Sequence, residues 1–166
     1  LPSWRSRGAR AEKARAVPLA FNAGPQGTMS WPGGSVPIER QPFVPGSLAL
    51  KALPDQPESG WWWNPQESGR GFFIEWQGGK ADIAGYMYDD EGKPTWYIAV
   101  YDTHNIRTLT GNWWPFANGQ PMGGAYEVPD FTSDHFAPLS INFTAPDTAV
   151  MTLPGGRTTN LVRQRF

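Results

Sequence analysis

Residues 59–102 read SGWWWNPQESGRGFFIEWQGGKADIAGYMYDDEGKPTWYIAVYD. In this stretch, runs of alternating side chains are separated by glycine-bearing turns. Phe72, Ile74 and Trp76 fall on one face of an extended run, with Phe73, Glu75 and Gln77 on the other. Gly78-Gly79 then reads as a hairpin turn. Ile83, Gly85 and Met87 oppose Ala84, Tyr86 and Tyr88, and Asp90-Glu91-Gly92 supplies the next turn. Trp96, Ile98 and Val100 alternate with Tyr97, Ala99 and Tyr101. Phe72, Ile74, Trp96, Ile98 and Val100 are expected in the core, as the more apolar face of each run.

Outward from this stretch, further strands are expected near Thr108–Trp114, Gly123–Glu127, Leu139–Thr144, Thr148–Leu153 and Thr158–Arg165. No segment has helical spacing. About eight short antiparallel strands with tight turns predict an all-β domain, an up-and-down barrel or a barrel-like sandwich. Hairpin connections favour the barrel. A barrel of that strand number is filled by side chains or holds one small ligand.

Composition agrees. The 166 residues include 19 Gly and 17 Pro, a load of turn formers that argues against long helices. Seven of the nine Trp lie between Trp61 and Trp114, a density able to build a core. With no cysteine there is neither a disulfide framework nor a thiolate metal site. No apolar run approaches a membrane span. The chain starts without Met and without the apolar segment of a signal peptide, as expected of a processed or truncated product. Residues 1–15 form a basic arm in which Arg5, Arg7, Arg10, Lys13 and Arg15 face Glu12 alone, while the remainder is acidic. Docking of that arm on an acidic protein surface is preferred to nucleic-acid binding, which usually uses longer basic runs.

The two tails of the chain resemble one another. VPLAFNAGPQGTMSWPGG (17–34) aligns with APLSINFTAPDTAVMTLPGG (137–156) with a two-residue insertion, pairing Leu19 with Leu139, Phe21 with Ile141 and Met29 with Met151. Arg40-Gln41-Pro42-Phe43 then meets Arg163-Gln164-Arg165-Phe166. Residues 16–45 therefore read as a partial repeat, the terminal strands of a preceding or neighbouring unit. Residues 46–58 read as a linker, and 59–166 as the complete β-domain. Orphan strands cannot bury a face alone. Leu19, Phe21, Met29 and Ile38 are expected to be their buried contacts.

Candidate site residues are few. In Trp61-Trp62-Trp63 an extended backbone points Trp62 opposite to Trp61 and Trp63, so at least one indole is expected off the core. Such indoles, and Trp113 and Trp114 likewise, serve as platforms for sugar rings or as protein interface; cover by protein is preferred. Asn64, Glu67, Ser68 and Arg70 lie in a loop where Glu67, Ser68 and Arg70 could line a site; the structural reading, in which Asn64 and Ser68 satisfy loop amides, is preferred. Asp89-Asp90-Glu91 lacks the spacing of a calcium loop. His104 and His135 are isolated, and Ser68 lacks a nucleophile-elbow frame. Asn142-Phe143-Thr144 matches a glycosylation sequon, a triplet frequent by chance. No metal or cofactor is expected.

The segment Trp63-Asn64-Pro65, Glu67-Ser68-Gly69, Gly71, followed by Tyr88-Asp89, Gly92, Pro94 and Trp96, resembles a Trp-rich repeat of uncharacterised secreted proteobacterial proteins. The resemblance spans roughly residues 59–166 and implies a bacterial secreted or cell-surface setting with modular repetition. It carries no activity with it. A weaker similarity to avidin-like barrels rests on Gly60, Trp62 and Asn64. Together these features predict a non-enzymatic extracellular module whose N-terminal strands are donated to another copy of itself, building a homo-oligomer, polymer or fibre. The alternative is a barrel that binds carbohydrate through exposed Trp.

Overall fold

The structure is a computed structural model that describes residues 17–22, 24–102, 105–131 and 137–166. The basic arm, His104 and His135 lie outside the described residues. The chain divides into two compact units between Gln41 and Pro42. The first contains a three-stranded antiparallel sheet of β1 (Leu19–Phe21), β2 (Gln26–Trp31) and β3 (Gly34–Glu39), in that order.

The second unit is an eight-stranded closed antiparallel barrel. Its strands are β4 (Gly60–Trp63), β5 (Gly71–Gln77), β6 (Lys80–Tyr88), β7 (Pro94–Asp102), β8 (Thr108–Ala117), β10 (Ala137–Ala145), β11 (Thr148–Thr152) and β12 (Thr158–Arg163). Each pairs with its predecessor, and β12 returns to β4, so the topology is up-and-down. The two-residue β9 (Asp130–Phe131) extends the end of β8. Among the described residues the only helical pieces are short 3₁₀ turns at Ser47–Ala49 and Pro154–Gly156. The strand expected over Gly123–Glu127 is absent; this proline- and glycine-bearing segment (PMGGAYEVP) is irregular and exposed.

The closing seam between β12 and β4 has two register pairs, Val162 with Trp63 and Arg163 with Trp62. Side chains reinforce it. Arg163 Nε donates to the Ser59 carbonyl (2.8 Å), the Gln164 amide donates to the Trp61 carbonyl (2.8 Å), and Arg165 grips Glu58 bidentately (2.6 and 2.8 Å). The Arg165 hydrogen bonds hold the Glu58 carboxyl below its usual range.

The interior is packed with side chains. Trp62, Phe72, Ile74, Trp76, Ile83, Tyr97, Leu109, Trp113, Ile141, Phe143, Met151 and Leu161 are all buried in one cluster. Phe72 and Ile74 are core as expected, but Trp96 and Val100 are exposed and Ile98 is only half-buried. Register decides this. Tyr97 pairs with Gly85 and Ala99 with Ile83, and directly opposed residues share a face. Once Ile83 points inward, Tyr97 and Ala99 must follow. Gly85 and Ala99 are small, which leaves interior space for the Tyr97 and Trp113 rings.

The segment 42–58, expected as a linker from residue 46, lies against one end of the barrel. Buried Gln77 accepts from the Phe43 amide (3.0 Å) and from the Ser47 hydroxyl, and Ser47 and Pro57 are themselves buried.

Candidate ligand-binding cleft

The loop between β4 and β5 is organised by its own polar side chains. Asn64 Oδ1 accepts from the Gln66 amide (2.9 Å) and the Asn64 carbonyl accepts from the Glu67 amide (3.0 Å). Asn64 Nδ2 donates to Thr159 Oγ1 (3.0 Å), which donates onward to Glu67 (3.1 Å). Glu67 also binds Arg70 and Arg157, the latter at 3.0 Å. Two guanidinium groups thus share one carboxylate at the barrel mouth, leaving a local excess of positive charge.

Gly71 begins β5 opposite Tyr86 of β6. A Cβ at Gly71 would overlap the Trp61 indole, so the missing side chain is what lets that indole lie across the strand. Trp61 then stacks on Tyr86, with ring centroids 5.6 Å apart and planes inclined by 26°. Trp96 pairs with Tyr86 from β7 and stacks on Phe116 of β8 at 5.6 Å and 7°. A strip of aromatic rings therefore crosses the outer face of the barrel from β4 to β8. The neighbouring row on the same face, Trp61, Phe73, Ala84, Ile98 and Trp114, is also apolar.

An open cleft of about 430 Å³ runs along this strip. Trp61, Trp63, Tyr86 and Trp96 form its apolar walls, Ser68–Gly71 one rim, and Tyr88, Pro94 and Thr95 the other. A second hollow of about 400 Å³ continues from Arg70 and Tyr88 to Glu67 and Arg157. The arrangement offers flat ring faces beside a charged end.

Of the residues singled out in the sequence, Trp61, Trp63, Ser68 and Arg70 meet in the cleft, Glu67 lines the adjoining hollow and Asn64 holds the loop. Trp62 and Trp113 do not serve as platforms. Both point into the barrel, Trp62 edge-on to Phe143 and Trp113 stacked over Phe72. Trp114 sits on the outer face but does not line the cleft. Asn64, part of the avidin-like pattern, is committed to holding the loop. Tyr86, Tyr88, Trp96 and Arg157 were not legible as site residues; the signal was the aromatic content of both faces of β6 and β7, which no single strand resolves. No protein-family model, curated protein or solved structure matches the chain.

Proposed function

We propose that this chain is a non-enzymatic carbohydrate-binding β-barrel module, acting in the extracellular setting that the proteobacterial resemblance implies. The observation that carries this reading is the strip of Trp61, Tyr86 and Trp96 on the outside of a barrel whose interior holds a buried apolar cluster. Pyranose rings present apolar C–H faces that stack on such rings, and the flat, amphipathic faces of Trp and Tyr provide large apolar area with a polar edge. Arg70, Ser68 and Thr95 at the rims supply hydrogen bonds to sugar hydroxyls. The unshared positive charge near Arg157 favours a sugar that bears a carboxylate.

The test is a titration of the full chain with neutral and uronate-containing oligosaccharides, followed by tryptophan fluorescence and calorimetry. Binding is expected, with the uronates tighter. Trp96→Ala and Tyr86→Ala variants, each of which removes one ring, should each lose about tenfold in affinity. Absence of binding across both classes, or binding unchanged by Trp96→Ala, would sink the reading.

A further inference from the structure

We infer that β1–β3 are the closing three strands of a second barrel, and that their apolar face seats on the five leading strands of another unit of this kind. The basis is a correspondence of register between β1–β3 and the chain's own β10–β12. In the barrel, Ile141, Met151 and Thr159 form one inward row across β10, β11 and β12, and Phe143, Ala149 and Leu161 form the next. In the N-terminal sheet the rows are Leu19, Met29 and Val36, then Phe21, Gly27 and Ile38. Each position matches in kind. An aliphatic residue, Met and a β-branched residue fill one row; Phe, a small residue and a branched aliphatic fill the other.

Register also improves the alignment of the tails. Leu19 corresponds to Ile141 rather than Leu139, and Phe21 to Phe143, so the two-residue insertion disappears between Leu19 and the Pro-Gly-Gly turn. A hydrogen bond outside the ladders recurs at the matching place. The Arg40 amide donates to the Pro25 carbonyl (2.8 Å), as the Arg163 amide does to the Asp147 carbonyl (2.9 Å). Residues on the opposite face of β1–β3, among them Ala20, Thr28, Ser30 and Glu39, are small or polar.

The two sheets differ in what covers them. Ile141 and Phe143 are 0% and 3% exposed, whereas Leu19 and Phe21 are 55% and 69% exposed. In the barrel, Trp62 of β4 and Trp76 of β5 meet Phe143 edge-on at 5.4 and 5.9 Å, β8 pairs with β10, and β4 pairs with β12. The occupant of the β1–β3 face must supply the same parts: indoles for Phe21, an edge for β1 and an edge for β3. Five strands of the β4–β8 kind supply them all. A closed barrel does not, because each of its eight strands already has a neighbour on both sides. The acceptor is therefore a unit that lacks its own closing strands, and because donor and acceptor surfaces differ the contact is head-to-tail.

The experiment mixes the full chain with a probe polypeptide of residues 59–131, which carries β4–β8 without β10–β12. Sedimentation is expected to show a one-to-one complex. Phe21→Asp in the full chain should weaken it at least tenfold, while Ala20→Asp on the opposite face should leave it intact. No complex, although a peptide of residues 137–166 binds the probe, overturns the inference; so does capture that is equal for Phe21→Asp and Ala20→Asp. If the probe binds neither, the deciding measurement is a graft in which residues 17–45 replace 137–166. A cooperative unfolding transition that Phe21→Asp abolishes supports the inference, and its absence rejects it. Neither outcome depends on sugar binding, so the two readings fail separately.

Discussion

At Gly71 the loss of one side chain sets up the cleft. Gly71→Ala would push the Trp61 indole off the strand and break its stack with Tyr86, so sugar affinity should fall with little change in secondary structure. The overlap should also lower stability by about 1–3 kcal/mol, read as a shift of the urea midpoint. Asp82 shows the electrostatic side. Its Oδ1 is buried without a hydrogen-bond partner, and desolvation, with Glu75 nearby, raises its pKa from 3.8. The folded state therefore holds this proton more tightly than the unfolded state. Its stabilising contribution is complete below the unfolded pKa and is lost as pH rises through the raised value. Asp82→Asn should remove that loss, so its stability advantage over the parent should grow between about pH 3 and pH 7. A constant difference across that range would refute the assignment.

At the scale of the element, a strand with two apolar faces takes its orientation from its neighbours. β7 carries Trp96, Ile98 and Val100 on one side and Tyr97 and Ala99 on the other, and pairing with β6 sends the smaller-looking set inward. Trp96→Ala should consequently cost less than about 1.5 kcal/mol, the value of a surface aromatic pair. Trp62→Ala, from the interior, should cost about 3–5 kcal/mol. Chemical denaturation of the two variants side by side distinguishes these sites. The span before β4 is likewise set by a neighbour. Gln77→Leu would remove the acceptor of the buried Ser47 hydroxyl and one of the two side-chain acceptors of the Phe43 amide, for a loss of about 1–3 kcal/mol. Limited proteolysis should then cut within 42–58, which a free linker would permit in the parent as well.

For the whole molecule, closure of the barrel governs both surfaces. Closure occupies both edges of each of the eight barrel strands, buries one apolar cluster inside and turns the surplus aromatics of β4–β8 outward. It also leaves β1–β3 as a separate sheet whose apolar face has no counterpart within that sheet. Removal of residues 1–41 should leave the thermal midpoint of the 42–166 barrel within about 2 °C of the parent, because the barrel is a compact unit by itself. A larger fall would show that the two units fold as one.

The local features follow from the order of residues alone. Two-residue periodicity placed β5, β6 and β7, and glycines placed their turns, the pair Gly78-Gly79 and the single Gly92. Extended geometry separated Trp62 from Trp61 and Trp63, and the matching tails announced two or three strands at each end. Those are consequences of neighbouring residues along one chain. Tertiary structure decided what depends on residues far apart. Which face of β7 is inside, that Trp113 is core while Trp96 is surface, and that Arg157 reaches the Glu67 loop all follow from cross-strand register and closure. A single strand with apolar residues on both faces is energetically indifferent to a flip, and only pairing with Ile83 and Gly85 removes that indifference.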